Sequence, residues 1–149
     1  MMIAIGCDHG GYKLKETIIK YLENKHIAYK DFGTYSEERV DYPKYATAVA
    51  ESVKAKECEN GILCCGTGVG MSIAANKVPW IRAAVVGDCF TAKATKEHNN
   101  ANIICIGERV TGEGLALMIV ETWLNADFIN GRHKLRLKQL EDIEIKYNK

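Results

Sequence analysis

The sequence predicts an α/β domain: a Rossmann-like three-layer sandwich with a five-stranded parallel sheet in the order 2-1-3-4-5 and a C-terminal helical arm. Three observations predict it. Five short, mostly apolar runs each end near a Gly or an Asp, and continuous apolar runs of this kind suit strands covered on both faces. A helical pattern follows each run, so the chain reads as repeated βα units joined by right-handed crossovers. The chain has 149 residues, enough for one packed core and too few for two.

In order, residues 2–7 (MIAIGC) form the first strand. "YKLKETIIKYLENK" follows and places Leu14, Ile18, Ile19 and Leu22 on one helical face. The second strand is 28–32. "YPKYATAVAESVKAK" then sets Pro43 near its first turn, where a missing N–H leaves no helical bond unmade. The third strand, 61–65, runs into a glycine loop and the helix "MSIAANKV". The fourth, 82–86, precedes "CFTAKATKEHN"; the fifth, 102–106, precedes "GLALMIVETWLNA". From Arg132 a sixth helix carries Leu135, Leu140 and Ile143 as its apolar stripe.

Composition excludes several classes of partner. Lys and Arg number 20 against 19 Asp and Glu, a net charge of +1, so bulk electrostatics argues for neither nucleic acid nor a membrane surface. No apolar run reaches the roughly 20 residues of a membrane span. "MMIAIGCDHGGYK" reads as a first strand and not as a secretory leader, so the expected compartment is the cytoplasm. Six cysteines are present without CxxC spacing, which suits reduced thiols, most of them small core residues. Paired Cys or His spacings that would hold zinc are absent.

In a doubly wound sheet, ligands bind beyond the carboxyl ends of the strands, where the strand order reverses. Here that reversal lies between the first and third strands, whose carboxyl ends carry "GCDHGG" and "CCGTGVG". The loop Gly66-Thr67-Gly68-Val69-Gly70 leads into a helix. Its N–H groups and the helix dipole favour an anion, either a phosphate or an oxyanion formed during reaction. A ligand-free strand-to-helix turn is the plainer alternative. The spacing is G-x-G-x-G and misses the third glycine of the dinucleotide fingerprint, although Asp88 falls near the distance of that fingerprint's acid. A small nicotinamide-dependent reductase and a non-catalytic nucleotide-binding module therefore stay open.

Cys64 and Cys65 point to opposite faces of a strand. Cys65 abuts the glycine loop and a helix N-terminus, surroundings that favour a thiolate acting as nucleophile or general base; Cys64 reads as a packed core thiol. Asp8 and His9 project from the first strand toward a polyol hydroxyl or a phosphate, and Asp8 also suits the cap of the next helix. His98 and Asn99 follow a helix, where surface residues are common. Arg132 and Arg136 sit four apart and share a helical face, able to grip one phosphate, with Arg109 beyond the last strand as a third. The alternative is a solvated basic stretch, too short to argue for nucleic acid.

The segments "GCDHGG", "CGTGVG…SIAANK", "EHNNAN", "GERV" and "GRHKLRL" occur here in the order found in the type B ribose-5-phosphate isomerases. The chain resembles that family, which includes relatives acting on allose 6-phosphate and galactose 6-phosphate, from Ile3 to about Ile143. The resemblance implies one sugar-phosphate isomerase domain over 1–149, with 130–149 an arm packing on a partner subunit. It implies a cytoplasmic homodimer that uses neither metal nor cofactor and interconverts ribose 5-phosphate and ribulose 5-phosphate in the non-oxidative pentose phosphate pathway. By the same resemblance, Cys65 is the base that moves a proton between C2 and C1. Gly66 to Gly70 stabilise the enediolate with Thr67 assisting, and His98 helps open the furanose ring. Asp8, His9 and Asn99 bind sugar, and Arg109, Arg132 and Arg136 hold phosphate. Met71 stands where another branch of the family carries a Glu, which places this chain with the cysteine branch. Topology adds one expectation: the helix ending at His98 returns to the amino ends of the strands, so His98 and the tail arginines reach the Cys65 site of a partner.

Overall fold

The computed structural model describes residues 1–147. Five parallel strands, β1 (Met2–Cys7), β2 (Ala28–Asp31), β3 (Asn60–Cys65), β4 (Ala83–Val85) and β5 (Ile103–Gly107), alternate with helices α1 (Tyr12–Asn24), α2 (Tyr42–Lys54), α3 (Val69–Ala75), α4 (Cys89–Glu97) and α5 (Glu113–Leu124). Helix α6 (Arg132–Tyr147) closes the described chain, and a short 3₁₀ turn, His9–Gly11, leads into α1.

The α/β class and the parallel sheet agree with the sequence, but the order is β2-β1-β3-β5-β4, not 2-1-3-4-5. Burial explains the difference. β5 (IICIG) is buried at every position and belongs inside the sheet, whereas β4 has three residues and part of each is exposed. The short, half-wet strand takes the edge. There the Asn76 side chain donates to Ala83 O and accepts from Ala83 N, both at 2.8 Å, so those edge groups are not left open for a further strand. The reversal between β1 and β3 is untouched by the exchange, and the crevice stays where the motifs place it.

Alternation along the strands builds two cores. Ile3, Ile5, Ile62, Cys64, Ile104 and Ile106 pack under α1 and α5, around Leu14, Ile18, Leu22, Ile119 and Trp123. Ala4, Leu63, Cys65, Ile103 and Cys105 face α2 and α3, against Val49, Ala50, Met71 and Ala75. Cys64 and Cys65 do point to opposite faces. In α6 only His133 is buried; Leu135, Leu140 and Ile143 are 64%, 50% and 55% exposed. The helix meets its own chain at both ends: the His133 ring stacks on His98, and the Glu144 carboxylate accepts from Trp80 N at 2.9 and 3.0 Å.

Candidate active site

Three strand ends converge on Cys65. Its Sγ is nearly buried, with the residue 5% exposed, and accepts the Gly68 N–H at 3.0 Å. That bond requires a turn back toward β3, which Gly68 makes with a φ of 81°. A Cβ there would lie 3.0 Å from Cys105 O as well as adopting a strained backbone. Thr67 Oγ1 accepts from Val69 N at 3.3 Å. The first helical bond of α3 runs from Ser72 N to Gly68 O at 3.1 Å, so the N–H groups of Gly70 and Met71 precede the helical ladder. The loop therefore turns one amide onto the sulfur and leaves the Gly70 and Met71 N–H groups outside the helical ladder, donors of the kind that stabilise developing negative charge.

From β1, Asp8 N donates to Cys64 O at 3.2 Å and its Oδ1 accepts from Gly10 N at 2.8 Å. Asp8 thus does cap the turn that follows it, while its chain is tied to β3. His9 Nδ1 lies 3.1 Å from Val40 O and 3.2 Å from Val40 N, which fixes the ring. From β5, Glu108 N donates to Cys65 O at 2.8 Å and Arg109 N to Gly66 O at 3.0 Å. The Arg109 side chain runs beside Gly66: a Cβ on that glycine would lie 3.3 Å from Arg109 Cδ and 3.4 Å from its Nη1. Asp8, His9, Cys65, residues 66–70 and Arg109 are thereby assembled at one end of the sheet.

The cysteines divide by environment. Burial pushes the Cys64 thiol well above its ordinary range, with Cys7, Cys105, Cys65 and Glu108 adding to the effect. Burial also raises Cys7, to about 12 despite the opposing charge of Lys15. Both are inert core thiols at neutral pH. Cys65 differs from both in that its sulfur meets the glycine loop, accepting the Gly68 N–H.

His98, Asn99, Arg132 and Arg136 are not brought to this place. His98 caps the C-terminus of α4, its N–H donating to Ala94 O at 2.8 Å. Just beyond it, Asn102 O accepts from Gly61 N at 2.8 Å, at the amino end of β3. At about 3.3 Å per residue, the length of β3 separates the two ends by roughly 16 Å. His133 stacks on His98 with centroids 4.4 Å apart and planes 7° from parallel. Burial lowers the pKa of His133, and the charges of His98, Arg132 and Arg136 lower it further. Asp88, which fell near the dinucleotide spacing, caps α4 instead, accepting from Thr91 N and Oγ1 at 2.7 Å each. Among the described residues no three His, Cys, Asp or Glu side chains are grouped to hold a metal ion.

The family model described as Ribose/Galactose Isomerase matches residues 3–140. The chain belongs to that family. It is an isomerase, and its relatives match nearly end to end. It is 47% identical to the ribose-5-phosphate isomerase B of Escherichia coli over 146 residues, covering 98% of each chain. Its fold superposes on ribose-5-phosphate isomerase B of Clostridium thermocellum with a TM-score of 0.98, at 54% identity and with 99% of each chain covered. The Mycoplasma genitalium ribose-5-phosphate isomerase B, solved with bound ribulose-5-phosphate, matches at a TM-score of 0.92 and 38% identity, with 97% of each chain covered.

One residue at the isomerase's candidate site, Tyr42, and one beside the distant His98, His133, carry little sign in the sequence. Tyr42 opens α2 with its ring against the first turn of α3; a Cβ on Gly70 would lie 3.0–3.2 Å from three ring carbons. Its only local sign was its place before Pro43. His133 stood between two arginines already singled out, and nothing in the spacing foretold its stack on His98.

Proposed function

We propose that this isomerase interconverts D-ribose 5-phosphate and D-ribulose 5-phosphate through a 1,2-enediolate, with Cys65 as the base. The Cys65 thiolate takes the proton from C2 of the open aldose. The C2–H electrons form the C1–C2 double bond, and the carbonyl electrons move onto O1, which the amides of Gly66 to Gly70 stabilise with Thr67 assisting. Return of the proton to C1 and transfer of the O2 proton to O1 give the ketose. Asp8, His9 and Asn99 bind the sugar hydroxyls, and His98 assists ring opening. Arg109, Arg132 and Arg136 hold the phosphate, whose binding energy, remote from the reacting carbons, keeps the sugar in register.

The observation that carries this reading is the Gly68 N–H bonded to Cys65 Sγ at the head of the glycine loop. The active unit is a homodimer: His98, Asn99, Arg132 and Arg136 serve the Cys65 site of the partner, and residues 130–149 form the arm that docks there. Within 130–149, Asn148 and Lys149 lie outside the described residues. The length of β3 between the two residue groups and the exposed stripe of α6 support this pairing. The reaction belongs to the non-oxidative pentose phosphate pathway in the cytoplasm.

Purified protein is expected to convert ribose 5-phosphate to ribulose 5-phosphate at a rate unchanged by a chelator, with kcat/KM for the five-carbon substrate above that for allose or galactose 6-phosphate. A higher kcat/KM for a six-carbon sugar would move the substrate assignment and leave the proton transfer intact. Oxidation of a reduced nicotinamide in place of isomerisation would overturn the reading altogether.

A further inference from the structure

Lys15 is the most unusual buried group outside the reacting centre. It lies on the inner face of α1 among Leu14, Ile18, Ile19 and Leu22 and is 0% exposed. Lysine is almost never fully buried without partners. Its Nζ lies 2.8 and 2.7 Å from the two carboxylate oxygens of Asp31 and 2.7 Å from Thr34 O. Those acceptors match the three hydrogens of an ammonium. Glu16 Oε1 stands at 3.6 Å, and the rings of Tyr12 and Tyr35 flank the charge with centroids at 5.6 and 5.0 Å.

Stability alone does not account for this group. A buried ion pair is replaceable by apolar side chains of similar volume, often without loss, and the neighbouring positions of α1 are already apolar. What an apolar side chain cannot do is grip the Thr34 carbonyl. That carbonyl belongs to a turn bonded on both sides to the end of β1: Cys7 N donates to Gly33 O at 2.7 Å and Thr34 N to Cys7 O at 2.8 Å. Asp31 reinforces the same turn by accepting from Gly33 N at 2.8 Å. Cys7 is followed directly by Asp8 and His9. The segment that begins at this turn reaches Val40, whose main chain holds the His9 ring, and then Tyr42 beside Gly70. Lys15 therefore sits at the root of both walls of the sugar crevice.

We propose that Lys15 is a positioning residue for sugar binding: its ammonium locks the Gly33–Thr34 turn onto Cys7 and so sets the Asp8–His9 arm and the 34–42 segment. The proposal rests on the reading of Asp8 and His9 as sugar-binding residues. Two variants separate this role from plain stability. Lys15→Met removes the charge. The double variant Lys15→Met/Asp31→Asn removes the pair while leaving an acceptor for Gly33 N.

The measurements are amide hydrogen exchange of the free protein, thermal melting, and kcat and KM for ribose 5-phosphate. The double variant is expected to melt closer to wild type than the single one. In both, the amides of Thr34 and Val40 exchange at least about tenfold faster than in wild type. KM rises about tenfold in both, while kcat stays within about threefold. Unchanged exchange at Thr34 and Val40 in a folded variant overturns the proposal, as does a double variant whose KM recovers together with its melting temperature. If wild-type protein turns over no ribose 5-phosphate, the substrate assignment fails, and the exchange data alone decide whether Lys15 holds the turn.

Discussion

Cys65→Ala lowers kcat for ribose 5-phosphate isomerisation by about 10²–10⁴, the usual contribution of a positioned general base, and leaves the far-ultraviolet circular dichroism unchanged. The fold survives because Ala keeps the small β-strand side chain at the end of β3 and its main-chain bond to Glu108 N. What disappears is the sulfur that accepts the Gly68 N–H. Cys64→Ala is the matched control. Its thiol faces the other core, where burial holds it protonated at neutral pH, so its loss appears as a lower melting temperature with kcat within a few-fold of wild type. Steady-state kinetics and thermal melts on the two variants check both halves. Equal loss of activity from the two substitutions would show that the strand end, not the Cys65 sulfur, is what catalysis needs.

Mixing two crippled proteins restores activity if the site is shared. In the proposed homodimer, the Cys65→Ala and His98→Asn proteins each lack one group at both sites. After subunit exchange, half the dimers are hybrids at random assortment. Each hybrid has one site that pairs an intact Cys65 with an intact His98 from the other subunit, so activity recovers to about a quarter of wild type. If each chain uses its own His98, no hybrid has a complete site and nothing returns. Native mass spectrometry on differently labelled subunits confirms that exchange took place. The expectation follows from the fold: α4 carries His98 back to the amino ends of the strands, while Cys65 ends β3 at the carboxyl side.

Local pattern was enough to place every strand and α-helix to within a few residues, because each run and each helical face is written in neighbouring residues; the 3₁₀ turn His9–Gly11 was not legible, and Val69 and Gly70, read as loop, open α3. The order of the last two strands was not legible. Residues 82–86 and 102–106 are both short apolar runs, and which of them lies inside depends on a third partner, β3, that neither run encodes. The site divided in the same way. Asp8, His9, Cys65 and the 66–70 loop follow from strand ends and one topological rule, and the order of five motifs identified the family. Tyr42 at Gly70, His133 on His98 and Lys15 beneath Thr34 are contacts between distant segments. No periodicity marks them, and Lys15 in "YKLKETIIK" looks like any other charged residue of an amphipathic helix.

Direct sight of the reacting carbons tests the central claim best. A crystal structure of the unaltered protein with ribulose 5-phosphate bound is expected to put Cys65 Sγ within about 3.5 Å of C1 or C2. The sugar oxygens on those carbons should face the amides of residues 66–70, with the phosphate between Arg109 and the arginines of the second subunit. A fully occupied ligand with the sulfur turned into the core, more than about 5 Å from both carbons and with another side chain over them, would contradict Cys65 as the base.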